Sequence, residues 1–305
     1  MAEADFVVVE PAFRRLVKTS ARVEQLWTGA RWTEGPAWFE ALQSLVFSDI
    51  PNDRLRRYDA TTGAVGTLRA GHGRFTNGNT VDRAGRLVSC EHGTRQVTRT
   101  EHDGTVTVLA DRFGGKRFNS PNDVVVKADG TIWFTDPAYG IDSDYEGIKG
   151  ESEIGGDHVY RLDPRDGGIT RVADDFVRPN GLAFAPDERR LYVADSGASH
   201  VDDGPRHLRA FDVADDGRLT GGAVVASCDV GVYDGLRCDT EGRIWTSAGD
   251  GVHCLAPDGT LLGKIRVPER VANLCFAGPR RNWLLITATT SLYGVRLPVN
   301  GAKTY

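Results

Sequence analysis

The sequence predicts an all-β fold, namely a six-bladed β-propeller with four-stranded antiparallel blades. The 305-residue chain contains 36 glycines, and Val, Ile, Thr, Tyr and Trp recur in short bursts between them. Such a composition indicates many short strands joined by tight turns. The chain also aligns with itself as six copies of one strand pattern, at spacings near the roughly 40 to 50 residues of a propeller blade. Radial repetition of four-stranded sheets is the architecture of a propeller.

Each of the six copies opens with a polar residue and continues into a short apolar strand. The copies are EGPAWFEALQSLVFSD from Glu34, NGNTVDRAGRLVSCE from Asn77, NDVVVKADGTIWFTD from Asn122, NGLAFAPDERRLYVAD from Asn180, DGLRCDTEGRIWTSA from Asp234 and NLCFAGPRRNWLLITA from Asn273. A turn such as KADG or DTEG leads to a second strand rich in β-branched and aromatic residues, such as IWFT. A third strand with alternating polarity follows, such as HVYRLD, and then a fourth, such as TVTVLA.

The sixth copy stops after its third strand, near Arg296. The stretch RVEQLWTG, just before the first copy, has the position of a fourth strand. We therefore expect residues near 22–29 to complete blade six and close the ring, because closure removes unpaired sheet edges. The predicted organisation is an N-terminal extension (1–21) of unassigned structure, a six-bladed propeller domain (22–298) and a C-terminal tail (299–305).

Composition and charge narrow the classes of partner and compartment. The formal net charge is only -5 and the charges are interspersed, which predicts no nucleic-acid partner. No apolar run approaches the roughly 18 residues that span a bilayer, and the N-terminus lacks a signal-peptide pattern. We therefore expect a cytoplasmic protein without a membrane partner. The five cysteines have no C-x-x-C spacing, which predicts buried free thiols. Nothing in the pattern specifies an oligomeric state.

The opening residue of each copy is the strongest candidate for a functional position. In a radial blade the first strand is innermost, so these side chains should converge on one mouth of the central channel, here called the top face. We call this set the inner ring: Glu34, Asn77, Asn122, Asn180, Asp234 and Asn273. Oxygen donors with two negative charges suit a hard divalent cation, Ca²⁺ before Zn²⁺, since the set contains no His or Cys. Alternatively, the Asn-Gly and Asp-Gly pairs serve turns that need positive φ, which would not explain Glu34.

A second set of carboxylates ends the second strands and should lie near the same face. We call it the outer ring: Asp49, Glu91, Asp136 and Asp195. Some of these residues are expected to cap turns or accept backbone hydrogen bonds. His92 and His200 also fall near this face as candidate proton-transfer groups.

Two copies carry long insertions between their second and third strands, again on the top face. The insertions are PAYGIDSDYEGIKGESEIGGD in the third copy and SGASHVDDGPR in the fourth. Long loops in a compact repeat fold are often functional lids, and the alternative is that they are solvated surface loops.

Several ordered motifs resemble the gluconolactonase and senescence-marker-protein (regucalcin) family. They are TEGPAW, RFNSPNDVVVKADGTIWFTDPAYG, RPNGLAFAPDERRLYVADS and YDGLRCDTEGRIW, and the resemblance extends from about Ala21 to about Leu297. The segment LVSCEHGTRQVTR is most similar to the bacterial gluconolactonase branch. The resemblance implies a six-bladed propeller that hydrolyses sugar lactones with one divalent metal ion in its channel.

The resemblance also implies roles for individual residues. Glu34 of E-G-P, Asn180 of R-P-N-G-L and Asp234 of Y-D-G-L match the metal ligands, and Asp234 matches the general base. Asn122 of S-P-N-D matches a residue that holds water or substrate beside the metal. Candidate substrate contacts are Arg117 and Asn119 in KRFNSPND, Tyr139, Glu91 and His92. Asn77 and Asn273 match no family ligand, so we expect them to line the channel or serve turns.

The predicted function is therefore metal-dependent hydrolysis of a sugar lactone, with D-glucono-1,5-lactone as the leading substrate. The expected cofactor is one divalent ion, Ca²⁺ first, with Zn²⁺, Mg²⁺ and Mn²⁺ as alternatives. The alternative functions are hydrolysis of another lactone, an organophosphate or an aryl ester at the same site, and a non-enzymatic calcium-binding propeller. No G-x-S-x-G elbow appears in the sequence, so nothing indicates a serine hydrolase.

Overall fold

Six antiparallel blades surround one central channel in the computed structural model, which describes residues 5–303. The prediction of a six-bladed propeller is confirmed. In each blade the first strand of the copy is innermost, and the following strands pair outward in chain order. The first strands of adjacent blades contact one another around the channel.

The N-terminal segment and the first three blades account for the first half of the secondary structure. The N-terminal segment contains β1 (Phe6–Val8), a 3-10 helix (Pro11–Arg15) and β2 (Glu24–Thr28). Blade one contains β3 (Thr33–Phe39), β4 (Ser44–Asp49), a 3-10 helix (Ile50–Asn52), β5 (Arg54–Asp59) and β6 (Val65–Ala70). Blade two contains β7 (Thr76–Val81), β8 (Leu87–Glu91), β9 (Gln96–Thr100) and β10 (Val106–Ala110), and is followed by the short hairpin β11 (Arg112–Phe113) and β12 (Lys116–Arg117). Blade three contains β13 (Val124–Val126), β14 (Ile132–Asp136), α1 (Tyr139–Asp142), β15 (Asp157–Asp163) and β16 (Gly168–Phe176).

The last three blades follow the same plan. Blade four contains β17 (Pro179–Phe184), β18 (Arg190–Asp195), a 3-10 helix (Gly197–Ser199), β19 (His207–Val213) and β20 (Leu219–Ser227). Blade five contains β21 (Leu236–Cys238), β22 (Ile244–Ala248), β23 (Gly251–Leu255) and β24 (Leu261–Arg266). Blade six contains β25 (Val271–Ala277), β26 (Trp283–Ala288) and β27 (Ser291–Arg296).

An N-terminal strand closes the ring, as predicted. Strand β2 pairs antiparallel with β27, placing Glu24 opposite Gly294 and Thr28 opposite Ser291. It is therefore the outermost strand of blade six, so the first and last parts of the chain share one sheet.

The segment before β2 packs on blade five. Strand β1 pairs antiparallel with β24 and gives this blade a fifth strand. Phe13 is fully buried, and its ring lies 6.3 Å from that of Trp245. A Cβ at Gly263 would lie 2.3 Å from the Phe13 ring, so glycine is required beneath it. The proposed division at residues 21 and 298 stays a prediction.

The hydrophobic core lies in layers between adjacent blades. Leu45 and Phe47 of blade one, for example, pack with Leu285 of blade six, and Trp133 of blade three packs with Leu182 of blade four. Burial of each such side chain contributes about 1.5–3 kcal/mol. The five cysteines are free and buried in this core, as predicted. Within residues 5–303, no helix has the length and apolar character needed to cross a membrane.

Glycines bring neighbouring inner strands into close contact at the top face. Gly78, Gly181 and Gly235 of the Asn-Gly and Asp-Gly pairs do not have positive φ, so the turn interpretation is wrong for them. Gly35, which follows Glu34 within β3, does have a positive φ of +53. A Cβ at these glycines would lie too close to the next inner-ring residue: 2.1 Å from the Asn77 carbonyl for Gly35, 2.4 Å from the Asn122 carbonyl for Gly78, 2.1 Å from the Asp234 carbonyl for Gly181 and 2.0 Å from the Asn273 side chain for Gly235. The glycines therefore set the spacing between the inner-ring residues.

Candidate active site

The top face of the channel opens into a cavity of about 430 Å³. Five of the six inner-ring residues line it, namely Glu34, Asn77, Asn122, Asn180 and Asp234. The sixth, Asn273, instead donates from Nδ2 to Oε2 of Glu34 at 3.0 Å and accepts the N–H of Leu274. Asn273 therefore orients Glu34, a contact that repeat alignment did not indicate.

The carboxyl groups of Glu34 and Asp234 both have strongly raised pKa values. Burial, together with the nearby Asp123 carboxylate, raises the pKa of Glu34 to about 8. Burial and the Glu34 carboxylate raise the pKa of Asp234 well above its usual range. Neither carboxylate forms an ion pair with a basic side chain within residues 5–303. Each therefore favours the neutral form until a cation arrives, because like charges at close range oppose ionisation.

A hydrogen-bond chain orients the amide of Asn180. Ser196 donates its hydroxyl proton to the Tyr233 carbonyl at 2.6 Å. The Ser196 oxygen can then only accept from Asn180, and it receives the Nδ2 proton at 3.2 Å. Because Asn180 lines the cavity, this contact leaves its Oδ1 as the atom available to a ligand.

His92 fixes a second amide from outside the cavity lining. Its Nε2 lies 3.0 Å from Nδ2 of Asn77, and its Nδ1 lies 3.0 Å from the Glu146 carbonyl. The ring therefore carries its proton on Nδ1 and accepts from Asn77. Burial lowers the pKa of His92 to about 4, so the ring is neutral at physiological pH and positions Asn77.

The donor set at the cavity fits a divalent metal ion. Two carboxylates and an oriented amide oxygen are hard ligands of the kind that Ca²⁺ or Mg²⁺ prefers. The raised pKa values of Glu34 and Asp234, to which burial contributes most, are the electrostatic counterpart of a site built for a positive charge. Asn122, which is buried and lines the same cavity, can add a further oxygen.

A different group of potential metal ligands is formed by β23 of blade five and the segment that follows β20. Cys228, Asp229 and His253 offer ligand atoms within 4.8 Å of one another. The ammonium of Lys264 already pairs with Asp229 at 2.8 Å, and His253 lies 2.7 Å from Asp250. Asp229 and His253 are therefore already engaged by charged neighbours, whereas Glu34 and Asp234 form no ion pair with a basic side chain in the described part of the chain.

Residues of the outer ring are committed to contacts within the protein. Asp136 accepts the backbone N–H groups of Asn119 and Ser120, at 2.9 and 2.8 Å. Asp195 accepts those of Val177 and Arg178, at 3.1 and 2.9 Å. In both cases the carboxylate holds the segment two or three residues before an inner-ring asparagine. Asp49 likewise accepts the N–H of Arg31.

Besides His92, three of the five candidate substrate contacts do not line the cavity. Glu91 is fully buried and binds Arg74, Thr94 and Thr98. Asn119 is also fully buried, and its amide bonds the carbonyls of Asp136 and Gly156. Arg117 directs a guanidinium N–H to the Thr94 carbonyl. The structure thus separates these residues from the site that Glu34 and Asp234 form.

The two long top-face loops form walls of the cavity. Tyr139, from the blade-three loop, lines it and contacts Ser199 of the blade-four loop through its hydroxyl at 3.0 Å. His200 also lines it, with its ring 5.1 Å from that of Tyr139. The guanidinium of Arg178 lies over the Tyr139 side chain and pairs with Asp142. These contacts fix the wall to the segment that leads to Asn180 of the inner ring.

Sequence reasoning missed Glu146 as an individual site residue. It belongs to the blade-three loop and lines the cavity, and burial raises its pKa to about 7. The length of the loop was a signal, but the choice among its acidic residues depends on how the loop folds back. The N–H of Ile148 binds the Gly140 carbonyl, and a Cβ at Gly147 would collide with that carbonyl. Trp32, Arg206 and Arg270 also line the cavity without a sequence signal.

Comparison with known proteins identifies the family of the chain. Residues 32–290 match the family model described as the SMP-30/Gluconolactonase/LRE-like region. The chain is 31% identical to a gluconolactonase from Zymomonas mobilis, over 95% of this chain and 85% of the relative. It is 30% identical to a pentonolactonase from Haloferax volcanii, over 85% and 82% of the two chains.

A solved structure extends the comparison to three dimensions. A gluconolactonase from Xanthomonas campestris superposes with a TM-score of 0.89 at 39% identity, covering 96% of this chain and 94% of that one. The fold, the family model and these relatives all indicate the same family. The chain belongs to the SMP-30/gluconolactonase family and is a lactone hydrolase.

Proposed function

We propose that the protein hydrolyses an aldonolactone, D-glucono-1,5-lactone to gluconate, in a reaction that depends on one divalent metal ion. The observation that carries this proposal is the convergence of Glu34, Asn180 and Asp234 on one cavity, where neither carboxylate forms an ion pair with a basic side chain of residues 5–303. The gluconolactonase relatives support the choice of substrate.

Glu34, Asn180 and Asp234 would hold the metal ion, and Ca²⁺ is the first candidate because all donors are oxygen atoms. A bound cation supplies Lewis-acid polarisation of the lactone carbonyl and acidifies a water molecule. The remaining steps depend on what the side chains of the cavity do with protons and with the sugar.

Asp234 is the proposed general base. It would accept a proton from the water that attacks the carbonyl carbon, and cleavage of the ring C–O bond would follow. The leaving ring oxygen then needs a proton. Glu146 lines the same cavity with a pKa of about 7, so its carboxyl group can donate one near neutral pH. Proton transfer by such positioned groups contributes typically 10²–10⁴-fold to rate.

Aromatic and amide groups would orient the sugar. Trp32 and Tyr139 line the cavity, and rings of this kind present an apolar face with a polar tip. Asn77 and Asn122 add amide groups for the hydroxyls. A cavity of about 430 Å³ lies within the usual range for small-molecule sites, roughly 300–1,000 Å³.

The test is pH-stat hydrolysis of D-glucono-1,5-lactone by chelator-stripped protein, with Ca²⁺, Mg²⁺, Mn²⁺ or Zn²⁺ restored singly and spontaneous opening subtracted. Turnover that returns with a metal and is absent from D234A supports the proposal and ranks the metals. If stripped and metal-loaded proteins turn over equally, the metal dependence is wrong. If other lactones are hydrolysed and this one is not, the substrate assignment is wrong.

A further inference from the structure

The mouth of the cavity carries positive charge that the proposed reaction on a neutral lactone does not use. Arg206, at the end of the blade-four loop, and Arg270, just before β25, both line the cavity. Both side chains are exposed. Within residues 5–303, neither guanidinium donates a hydrogen bond or forms an ion pair.

Other arginines near the same face are differently placed. Arg178 is paired with Asp142 at 2.9 Å, and Arg74 with Glu91 at 2.8 Å. Acidic residues are abundant in this part of the molecule. A shortage of carboxylates therefore does not explain why Arg206 and Arg270 form no ion pair within the described residues. Each guanidinium keeps its full set of donors available to a ligand in the cavity.

Negatively and positively charged side chains lie in different parts of the cavity. The carboxylates of Glu34 and Asp234 belong to innermost positions of the channel, and Glu34 is buried. The exposed arginines lie at the solvent side of the same cavity. The Arg270 charge reaches the inner end, where it lowers the pKa of Asp234 against the larger effect of burial. A substrate whose carbonyl lies at the inner end would direct its far end toward the arginines.

We propose that the preferred substrate is a lactone with a second, anionic group remote from the ring carbonyl, a phosphate ester or a carboxylate, held by Arg206 and Arg270. This inference rests on the lactone hydrolysis proposed above and names its substrate class. Guanidinium groups bind both anions with paired N–H donors, and hydrogen bonds between charged groups are the stronger kind. Two arginines at the mouth also raise the rate of encounter with an anion.

The experiment compares substrates that share a ring and differ only in remote charge. One arm pairs 6-phospho-D-glucono-1,5-lactone with D-glucono-1,5-lactone, and the other pairs D-glucaro-1,4-lactone with D-glucono-1,4-lactone. The quantity measured is the ratio of kcat/KM within each pair, for the metal-loaded wild type, R206Q, R270Q and the control R218Q. The Arg218 side chain is 81% exposed, pairs with Asp216 and does not line the cavity, so its loss removes a surface charge away from the cavity.

We expect the wild type to prefer the anionic member of at least one pair by roughly tenfold or more, as for a charged hydrogen bond. R206Q and R270Q should each reduce that ratio about fivefold or more, mainly through KM, whereas R218Q should keep it. Raising the ionic strength should also reduce it, because salt screens exposed charges. The arm that shows the preference identifies the anion as phosphate or carboxylate.

A ratio near one in both arms, or one that R206Q and R270Q leave unchanged, would overturn the inference while lactone hydrolysis stands. Calorimetric titration with D-gluconate and 6-phospho-D-gluconate provides a readout that needs no turnover. Absence of hydrolysis in all four lactones would refute the proposed function. Tighter binding of the phosphorylated acid, lost in R206Q and R270Q, would still identify an anion subsite.

Discussion

Asp195 of the outer ring and Asp234 of the inner ring both lie on the top face, yet their carboxylates have different surroundings. Asp195 is buried and accepts two backbone N–H groups from the segment that leads to Asn180. The Asp234 carboxylate accepts no hydrogen bond from residues 5–303 and is partly exposed to the cavity. The same residue type thus satisfies the backbone in one ring and remains available to a ligand in the other.

This difference assigns stability and function to different rings. An outer-ring carboxylate accepts hydrogen bonds from buried backbone N–H groups. Leaving such a group without an acceptor costs about 1–3 kcal/mol. The inner-ring carboxylate of Asp234 is repelled by the carboxylate of Glu34, which raises the pKa of Asp234, and a bound cation would compensate both groups. Substitution of an outer-ring carboxylate should therefore mainly lower stability, whereas substitution of an inner-ring carboxylate should mainly lower activity. The following predictions test that difference.

The largest expected effect is on catalysis. D234N should lower kcat with D-glucono-1,5-lactone by about 10³-fold, within the roughly 10²–10⁴-fold range of a general base. The folded protein should not be less stable than the wild type in the absence of metal, because one of two opposing carboxylates has been removed. Initial rates by pH-stat and urea unfolding in chelator measure the two quantities. Activity within tenfold of the wild type would refute the assignment of Asp234.

The complementary change in the outer ring should act on stability. D195A leaves the N–H groups of Val177 and Arg178 without their acceptor, which should lower the free energy of unfolding by about 2–4 kcal/mol. D234N serves as the control under the same conditions. If D195A unfolds like the wild type and D234N is the less stable variant, the comparison between the rings is inverted.

A smaller loss is expected where the inner strands touch. G181A would place a Cβ 2.1 Å from the Asp234 carbonyl, and overpacking of this kind typically costs about 1–3 kcal/mol. The shift should also weaken metal binding, because Gly181 sets the distance between Asn180 and Asp234. G66A is the matched control, since its Cβ would meet nothing within 4 Å and its φ is ordinary. Equal unfolding free energies for the two variants would contradict the close-approach explanation.

The sequence predicted the fold and the inner ring because both follow from a repeat. The register of six copies specifies that Glu34, Asn122, Asn180 and Asp234 open inner strands, and all four line the cavity. Blade six likewise lacked one strand, and RVEQLWTG matched it. Positions that recur from blade to blade can be found by aligning the chain with itself.

The remainder of the site depends on structure that does not repeat. Glu146, Arg206 and Arg270 reach the cavity through loops or connections whose paths the repeat does not specify. Arg117 and Asn119 were chosen by motif, yet they bond to the Thr94 carbonyl and to a loop backbone instead. From sequence alone, three of the four glycines that follow inner-ring residues indicate a turn. Their role is seen only in the structure, where an added Cβ would lie about 2 Å from an atom of the next blade.

The last prediction concerns pH and also tests the charge of the cavity. Burial raises the pKa of Glu146 from 4.5 to about 7, so between these values the folded protein holds a proton that the unfolded chain has lost. Stability of the chelator-treated protein should therefore fall as pH rises from about 4.5 toward 8, with Glu34 contributing in the same direction.

E146Q should make this fall in stability with pH shallower, and E151Q, which removes an exposed carboxylate from the same loop, is the control. Urea unfolding at several pH values measures the slope. A metal ion that binds Glu34 and Asp234 should stabilise the wild type more at pH 8 than at pH 5.5, since fewer protons must be displaced. Equal slopes for all three proteins would show that Glu146 is solvated rather than facing the cavity charges, and would remove it as the proton donor to the ring oxygen.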